Sequence, residues 1–150
     1  MKVRKGEVIS LLHTKLLEGT YRPGLVKRVW IPRANGQRGL GVPDVVDRVV
    51  QQAVLQVMSP HYEPKFHPSS HGFRKGRSCQ TAIAEAKSHI EEGCDWVVDI
   101  DLEKFFDGVH HQRLISRLEK KIPDKRVIRL IVKLLKSKVV MPDGVVVTND

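Results

Sequence analysis

The sequence predicts an α+β fold, because short strand-like segments around tight turns alternate with longer segments of helical periodicity. Five segments space their apolar residues as helices do, and two turns each separate a pair of strand-like segments. Hairpins with helices between them are typical of α+β domains. The 150 residues suffice for one such domain, or for one domain and part of a second, with a buried core.

The first elements are a helix and a basic hairpin. A helix is predicted over residues 6–18, followed by strands at residues 26–32 and 38–42 on either side of a turn. The segment from Gly19 to Pro43 contains no acidic residue. Its five cations are Arg22, Lys27, Arg28, Arg33 and Arg38. We therefore expect the hairpin to present a positively charged surface.

A second basic segment lies between two further helices. Helices are predicted over residues 43–60, with an apolar face of valines, and over residues 78–92, where Ser78 is a suitable N-cap. Residues 62–78 are rich in Pro, Ser, Gly and His and lack an acid after Glu63. The cations of this segment are Lys65, Arg74, Lys75 and Arg77. The composition indicates an ordered basic loop.

An acidic stretch of strand character stands out against this basic background. Residues 96–109 read Trp-Val-Val-Asp-Ile-Asp-Leu-Glu-Lys-Phe-Phe-Asp-Gly-Val, and their carboxylates are Asp99, Asp101, Glu103 and Asp107. In an extended strand Asp99 and Asp101 share one face, while Val98 and Ile100 share the other. A carboxylate at the end of a buried strand needs a cation nearby, which is either a divalent metal or an arginine.

The remaining segments predict two helices, over residues 110–121 and 123–136, and a hairpin formed by residues 139–141 and 145–148. Pro123 is placed at the first position of the last helix, where its missing N–H costs nothing. We expect residues 1–92 and 93–150 to form two functional regions, the second of which contains the acidic stretch.

The charge of the chain favours a polyanionic partner. Its 26 Lys and Arg residues outnumber 17 Asp and Glu residues, which gives a net charge of +9. Nucleic acid is the first candidate for such a partner, and an anionic membrane is the second. No segment reaches the roughly 20 apolar residues of a spanning helix, and the N-terminus lacks the apolar region of a signal peptide. We expect a cytoplasmic protein without a membrane partner.

Cysteine and histidine spacing does not indicate a zinc site. Cys79 and Cys94 form no Cys-x-x-Cys pair, and His67 and His71 lie in a segment whose Pro and Gly residues disfavour a helix. We interpret the cysteines as reduced structural thiols and the histidines as loop residues that bond the backbone or a phosphate.

Two basic segments and one acidic stretch are what phosphoryl or nucleotidyl transfer requires. Cationic side chains bind phosphates, and carboxylates coordinate the Mg²⁺ ions that stabilise the attacking and leaving oxygens. Asp99 and Asp101 can supply only part of a two-metal site. The alternative is that these aspartates pair with arginines and that the basic segments are solvated surface. Spacing alone leaves both interpretations open.

Five motifs occur in the same order as in a known family. They are Ile31-Pro32-Arg33-Ala34-Asn35-Gly36, Leu40-Gly41-Val42-Pro43, Asp47-Arg48-Val49-Val50-Gln51-Gln52-Ala53, Ser70-His71-Gly72-Phe73-Arg74 with Gly76-Arg77-Ser78, and Asp99-Ile100-Asp101-Leu102-Glu103-Lys104-Phe105-Phe106-Asp107. Together they resemble the fingers and early palm of bacterial group II intron reverse transcriptases. The resemblance implies fingers and an incomplete palm, built from antiparallel strands with packed helices. The implied reaction is metal-dependent addition of deoxynucleotides to a primer on an RNA template, with assistance to intron splicing as a second role.

The acidic motif matches the catalytic part of the family's palm. Asp101 matches the first catalytic aspartate, whose carboxylate binds two Mg²⁺ (or Mn²⁺) ions, and the resemblance places the Leu102 carbonyl on the nucleotide-bound ion. Phe106 matches the bulky residue that excludes a ribose 2′-hydroxyl and so selects deoxynucleotides. Asp99 and Asp107 are then structural residues.

The basic motifs match the nucleotide-binding and template-binding parts of the family. Arg33 and Arg38 match the cations that close on the triphosphate of the incoming deoxynucleotide. Arg74, with the loop of residues 72–78, matches the segment that lines the template and nucleotide pocket. The family usually has Lys where Arg33 stands and Pro where Gly39 stands, and we expect the glycine to loosen the strand.

Two motifs of the family are missing from the sequence, namely a Pro-Gln-Gly segment and a Tyr-Ala-Asp-Asp hairpin that brings two further metal-binding aspartates. We therefore expect the 150-residue chain to be inactive by itself. Its expected partners are an RNA template or intron RNA, a DNA primer, a deoxynucleoside triphosphate, and either a second copy of the chain or a complementing C-terminal half. The alternatives are a non-catalytic RNA-binding module with vestigial aspartates, and a gene remnant without function.

Overall fold

A computed structural model describes residues 5–34 and 36–148. In chain order its elements are α1 (Lys5–Leu17), β1 (Val26–Arg33), β2 (Gly36–Val42), α2 (Val45–Tyr62), α3 (Cys79–Glu91), α4 (His111–Glu119), α5 (Lys125–Leu135), β3 (Val139–Val140) and β4 (Val146–Val147). These elements confirm the α+β class. They divide into two compact units: the first contains the described residues up to Val49 and from Phe106 onward, and the second is Val50–Phe105. The functional boundary placed at residue 93 stays a prediction.

The β1–β2 hairpin forms where the sequence predicts it. Its antiparallel register runs from Lys27 opposite Val42 to Arg33 opposite Gly36. β-branched and aromatic side chains favour the extended backbone of β1, and Gly36 supplies the φ of 120° that the turn requires. Asn35, which belongs to the predicted turn, lies outside the described residues.

The hairpin is part of a four-stranded sheet in the first unit, with strand order β2-β1-β3-β4. The expected antiparallel pairings are present, and a parallel pairing of β1 with β3 adds to them, with Val26 opposite Val139. Val139 is buried at 3% exposure. Parallel strands need a long crossover, and here it contains most of the chain, so spacing along the sequence does not reveal the pairing.

Helix α4 packs against α5 in the first unit. Ile128 is the buried centre of α5, at 5% exposure. The Asp124 carboxylate accepts the N–H of Arg126 at 2.8 Å, so α5 begins after this N-cap rather than at Pro123 as predicted. Among the described residues, no helix is both long and apolar enough to cross a membrane.

A buried carboxylate fixes the start of the hairpin to α2. Asp47 is 2% exposed and accepts hydrogen bonds from the Tyr21 hydroxyl and from the Gly24 N–H, the latter at 2.9 Å. Burial, followed by the bond to Asp47, raises the pKa of the Tyr21 hydroxyl, because a phenolate there would lose its hydration and face a carboxylate. A Cβ at residue 24 would lie 2.7 Å from Asp44 Oδ2, so a side chain there would displace the Asp44 carboxylate, which accepts the Asp47 N–H at 2.9 Å.

In the second unit α3 begins and ends as predicted. The Ser78 hydroxyl accepts the Thr81 N–H at 3.3 Å, and the Ser78 N–H donates to Thr81 Oγ1 at 3.0 Å, which together form a capping box. Past the last turn, Gly93 has a φ of 93°, the left-handed conformation that terminates helices.

The predicted central strand is wrong: residues 94–102 form no helix or strand, and turns follow through Gly108. The side chains of this stretch are exposed, Trp96 at 95% and Ile100 at 80%. A strand is stabilised by hydrogen bonds to a neighbouring strand, and the sheet order contains no strand from this stretch. Its apolar composition has strand character, but composition does not supply a pairing partner.

Candidate nucleic-acid interface

Arg33 and Arg38 lie on the same face of the hairpin. Arg38 is opposite Ile31, and Arg33 follows Ile31 by two residues, so both arginines project to one side of the two strands. Both side chains are exposed. Within the described residues, neither guanidinium has a hydrogen-bond or ion-pair partner, so both are available to an external anion.

The opposite face of the hairpin carries an aromatic ring over a glycine. The Arg28 guanidinium lies 6.0 Å from the centre of the Trp30 ring. A Cβ at residue 39 would lie 2.9 Å from Trp30 Cζ3, so the ring occupies the space that a side chain there would need. Gly39 was expected only to loosen the strand. Its missing side chain also leaves the space on β2 that the Trp30 ring occupies.

Arg74 is held inside the basic loop. Its Nε and Nη2 lie 2.8 and 2.7 Å from Glu63 Oε1, and its Nη1 donates to the carbonyls of His67 and Ser70 at 2.9 and 2.8 Å. The guanidinium also stacks over Phe66, 5.3 Å from the ring centre. With its side chain 11% exposed, Arg74 organises the loop, and its predicted role toward a nucleotide stays a prediction.

His71 attaches the same loop to α3. Its Nδ1 lies 2.8 Å from Thr81 Oγ1 and its Nε2 lies 2.8 Å from Glu85 Oε2. The Ser69 hydroxyl and then His71 hold the pKa of Glu85 below its usual range, because both stabilise the ionised carboxylate. The loop is thus fastened at two points, by Arg74 to Glu63 and by His71 to α3.

Phe73 lies between His71 and Arg74, in the loop of residues 72–78 that the sequence predicts to line the template pocket, but the sequence reasoning did not single it out. Its side chain is fully exposed, and its φ of 56° is in the left-handed region, which is unusual for a non-glycine residue. An exposed ring in a segment that also contains Lys75 and Arg77 can stack on a nucleic-acid base. The available clue was one aromatic residue within the otherwise polar and basic residues 72–78.

The predicted catalytic residues lie on the exposed acidic stretch. Asp101 and Leu102 are neighbours in the second unit, and Leu102 is 63% exposed. Phe106 is 86% exposed and belongs to the first unit. In residues 5–34 and 36–148, no three side chains of His, Cys, Asp or Glu converge as a metal centre requires. The described residues alone therefore do not fit a two-metal centre, and the role of Asp101 stays a prediction.

The sequence profile of a protein family described as "Reverse transcriptase (RNA-dependent DNA polymerase)" matches residues 27–148. The chain is 37% identical over 142 residues to "Protein YkfC" of Escherichia coli (strain K12), a match that covers 91% of this chain and 37% of the relative. It is 38% identical over 133 residues to "Group II intron-encoded protein LtrA" of Lactococcus lactis subsp. cremoris, covering 87% of this chain and 22% of the relative.

A plant relative extends the comparison. The chain is 34% identical over 94 residues to "Nuclear intron maturase 1, mitochondrial" of Arabidopsis thaliana, which covers 63% of this chain and 13% of the relative. The chain thus spans between 13% and 37% of the length of these three curated relatives. The matched region contains the hairpin, the basic loop and the acidic stretch.

Proposed function

Because this chain belongs to the reverse transcriptase family, we propose that it is part of an RNA-directed DNA polymerase of the group II intron type. The observation that carries the proposal is the hairpin face on which Arg33 and Arg38 stand exposed, without an acidic partner in the described part of the chain. Guanidinium groups bind phosphates through paired hydrogen bonds. The two arginines would hold the triphosphate of a deoxynucleotide against an RNA template and a DNA primer.

Asp101 would supply one carboxylate to the Mg²⁺ or Mn²⁺ ions of nucleotidyl transfer, with the Leu102 carbonyl beside it. These ions supply charge neutralisation at the attacking and leaving oxygens. Phe106 would exclude a ribose 2′-hydroxyl by its bulk, and Arg74 would keep the template-binding loop in shape. The sequence has no Asp-Asp pair, so we infer that further metal-binding carboxylates lie outside these 150 residues.

A complementation assay tests this function. The chain is mixed with a second polypeptide that carries the Tyr-Ala-Asp-Asp hairpin and thumb of a group II intron-type relative, and primer extension on RNA is measured with Mg²⁺. We expect synthesis with the native chain and its loss with Asp101→Asn. Asp99→Asn is the matched control and should retain synthesis, because the neighbouring carboxylate is given no metal-binding role.

The second candidate is a non-catalytic RNA-binding module, which the exposed basic hairpin equally favours. Salt-dependent RNA binding is expected under both functions and does not separate them. RNA binding without synthesis in any mixture would favour the module. Equal synthesis by the native chain and Asp101→Asn would contradict the catalytic assignment.

A further inference from the structure

The region around α5 concentrates positive charge that neither the hairpin nor the loop accounts for. Residues 120–138 contain a single acid, Asp124. Their cations are Lys120, Lys121, Lys125, Arg126, Arg129, Lys133, Lys136 and Lys138. This charge density exceeds that of either basic segment singled out from the sequence.

The helix sorts these cations onto one side. At 3.6 residues per turn, the cations of α5 and its C-cap fall within an arc of about 100°. They are Lys125, Arg126, Arg129, Lys133 and Lys136, and we name them the α5 stripe. Every other residue of α5 is apolar and buried or half-buried. The helix therefore has one cationic face and one packed face.

Two members of the α5 stripe are fastened to the protein, which fixes the position of the others. Arg126 pairs with Asp124 at 2.8 Å. The Lys133 ammonium donates to the carbonyls of Gly19 and Tyr21, at 2.7 and 3.0 Å, and so ties α5 to the segment that leads into β1.

Three members are left for a ligand. Lys125 and Lys136 are exposed, and their ammonium groups have no hydrogen-bond or ion-pair partner among the described residues. Arg129 is also exposed, and within the described part of the chain it donates only its Nε, to the Lys125 carbonyl at 3.3 Å. The three span about 16 Å along the helix axis, a length over which a nucleic-acid duplex presents about ten phosphates.

We propose that the α5 stripe is a second nucleic-acid contact, at which Lys125, Arg129 and Lys136 bind the phosphate backbone of an RNA duplex. The ligand class follows from charge complementarity: a row of cations along one face of a helix fits a regular series of phosphates. The contact lies outside the hairpin and the loop, and it does not depend on catalysis.

An anionic membrane is the other surface to which a basic amphipathic helix can bind. Such binding requires the apolar face of the helix to enter the lipid. In α5 that face is already used, since Ile128 is 5% exposed and its apolar neighbours pack within the first unit. The geometry therefore favours RNA over lipid.

The test is a salt titration of binding to a fluorescent RNA hairpin with the full chain. The variant is Lys125→Gln/Arg129→Gln/Lys136→Gln, which lowers the net charge from +9 by three to +6. The control is Lys15→Gln/Lys87→Gln/Lys104→Gln, which makes the same change in net charge at scattered positions, two of them already paired with acids. Thermal unfolding checks that both variants fold.

We expect the stripe variant to lose about three units of the slope of log affinity against log salt between about 50 and about 200 mM, one for each phosphate contact. The control variant should lose less than about one unit of this slope. Equal losses in the two variants would overturn the proposal, since net charge alone would then explain them. Loss of binding to phosphatidylserine vesicles with unchanged RNA binding would also overturn it. Arg33→Gln/Arg38→Gln separates the two contacts: if only this variant weakens RNA binding, the stripe proposal fails while the proposed function stands.

Discussion

The β1–β2 hairpin and the loop of residues 62–78 are both basic, yet they use their arginines in opposite ways. On the hairpin, Arg33 and Arg38 are exposed and have no acidic partner among the described residues. In the loop, Arg74 is 11% exposed and bound to Glu63 and two carbonyls. The charge of a segment therefore does not tell which of its cations can meet a ligand, because a single nearby carboxylate can convert a binding group into a structural one.

The largest expected effect is on stability, from Arg74→Ala. The substitution removes the ion pair with Glu63, two hydrogen bonds to loop carbonyls and the stacking on Phe66. We expect a loss of about 2 kcal/mol in the free energy of unfolding, since bonds to charged groups contribute about that much and Glu63 is partly solvated. Urea denaturation followed by circular dichroism measures the change.

Arg33→Ala is the matched control for Arg74→Ala. It should change the free energy of unfolding by less than about 0.5 kcal/mol, because an exposed side chain without a partner contributes little to folding. If the two variants were equally destabilised, the contrast between the hairpin and the loop would be wrong.

The next effect is on RNA affinity, from Phe73→Ala. The ring is fully exposed, so its removal should leave the stability nearly unchanged, while RNA binding should weaken about five-fold through the loss of one stacked base. Phe66→Ala is the comparison, because that ring supports Arg74 and its loss should lower stability. Fluorescence anisotropy with a single-stranded RNA gives the affinities, and unchanged binding by Phe73→Ala would remove this residue from the interface.

Local interactions explain why much of the fold could be predicted. The β-branched and aromatic side chains of β1, the Ser78 cap and the Gly93 stop each act within a few residues, and all appear in the structure. The acidic stretch has equally clear strand character, but a strand also needs a partner, and pairing is not a local property. The parallel pairing of β1 with β3 was missed for the same reason.

For the candidate site, the sequence predicts which types of residue take part, but it does not predict all of their contacts. Exposure of Arg33 and Arg38 follows from an acid-free hairpin, which the sequence displays. The ion pair between Arg74 and Glu63 does not follow from the sequence. Glu63 lies eleven residues before Arg74, and only the folded loop brings the two side chains together. The α5 stripe was also overlooked, because it becomes a surface only when the helical phase is combined with the burial of the opposite face.

The smallest expected effect is a pH dependence confined to the loop. Glu85 faces Ser69 and His71 from the loop and His89 from α3, and the first two lower its pKa in the folded chain. A carboxyl group with a lowered folded pKa stabilises the fold above its unfolded pKa of about 4.3, and that stability is lost as the pH falls through the folded value. The difference in unfolding free energy between the native chain and Glu85→Gln should shrink as the pH falls below about 4. Adding Ser69→Ala to Glu85→Gln should change nothing further with pH, because Ser69 acts through the same carboxylate. A difference that grows as the pH falls would refute the attachment of the loop through Glu85.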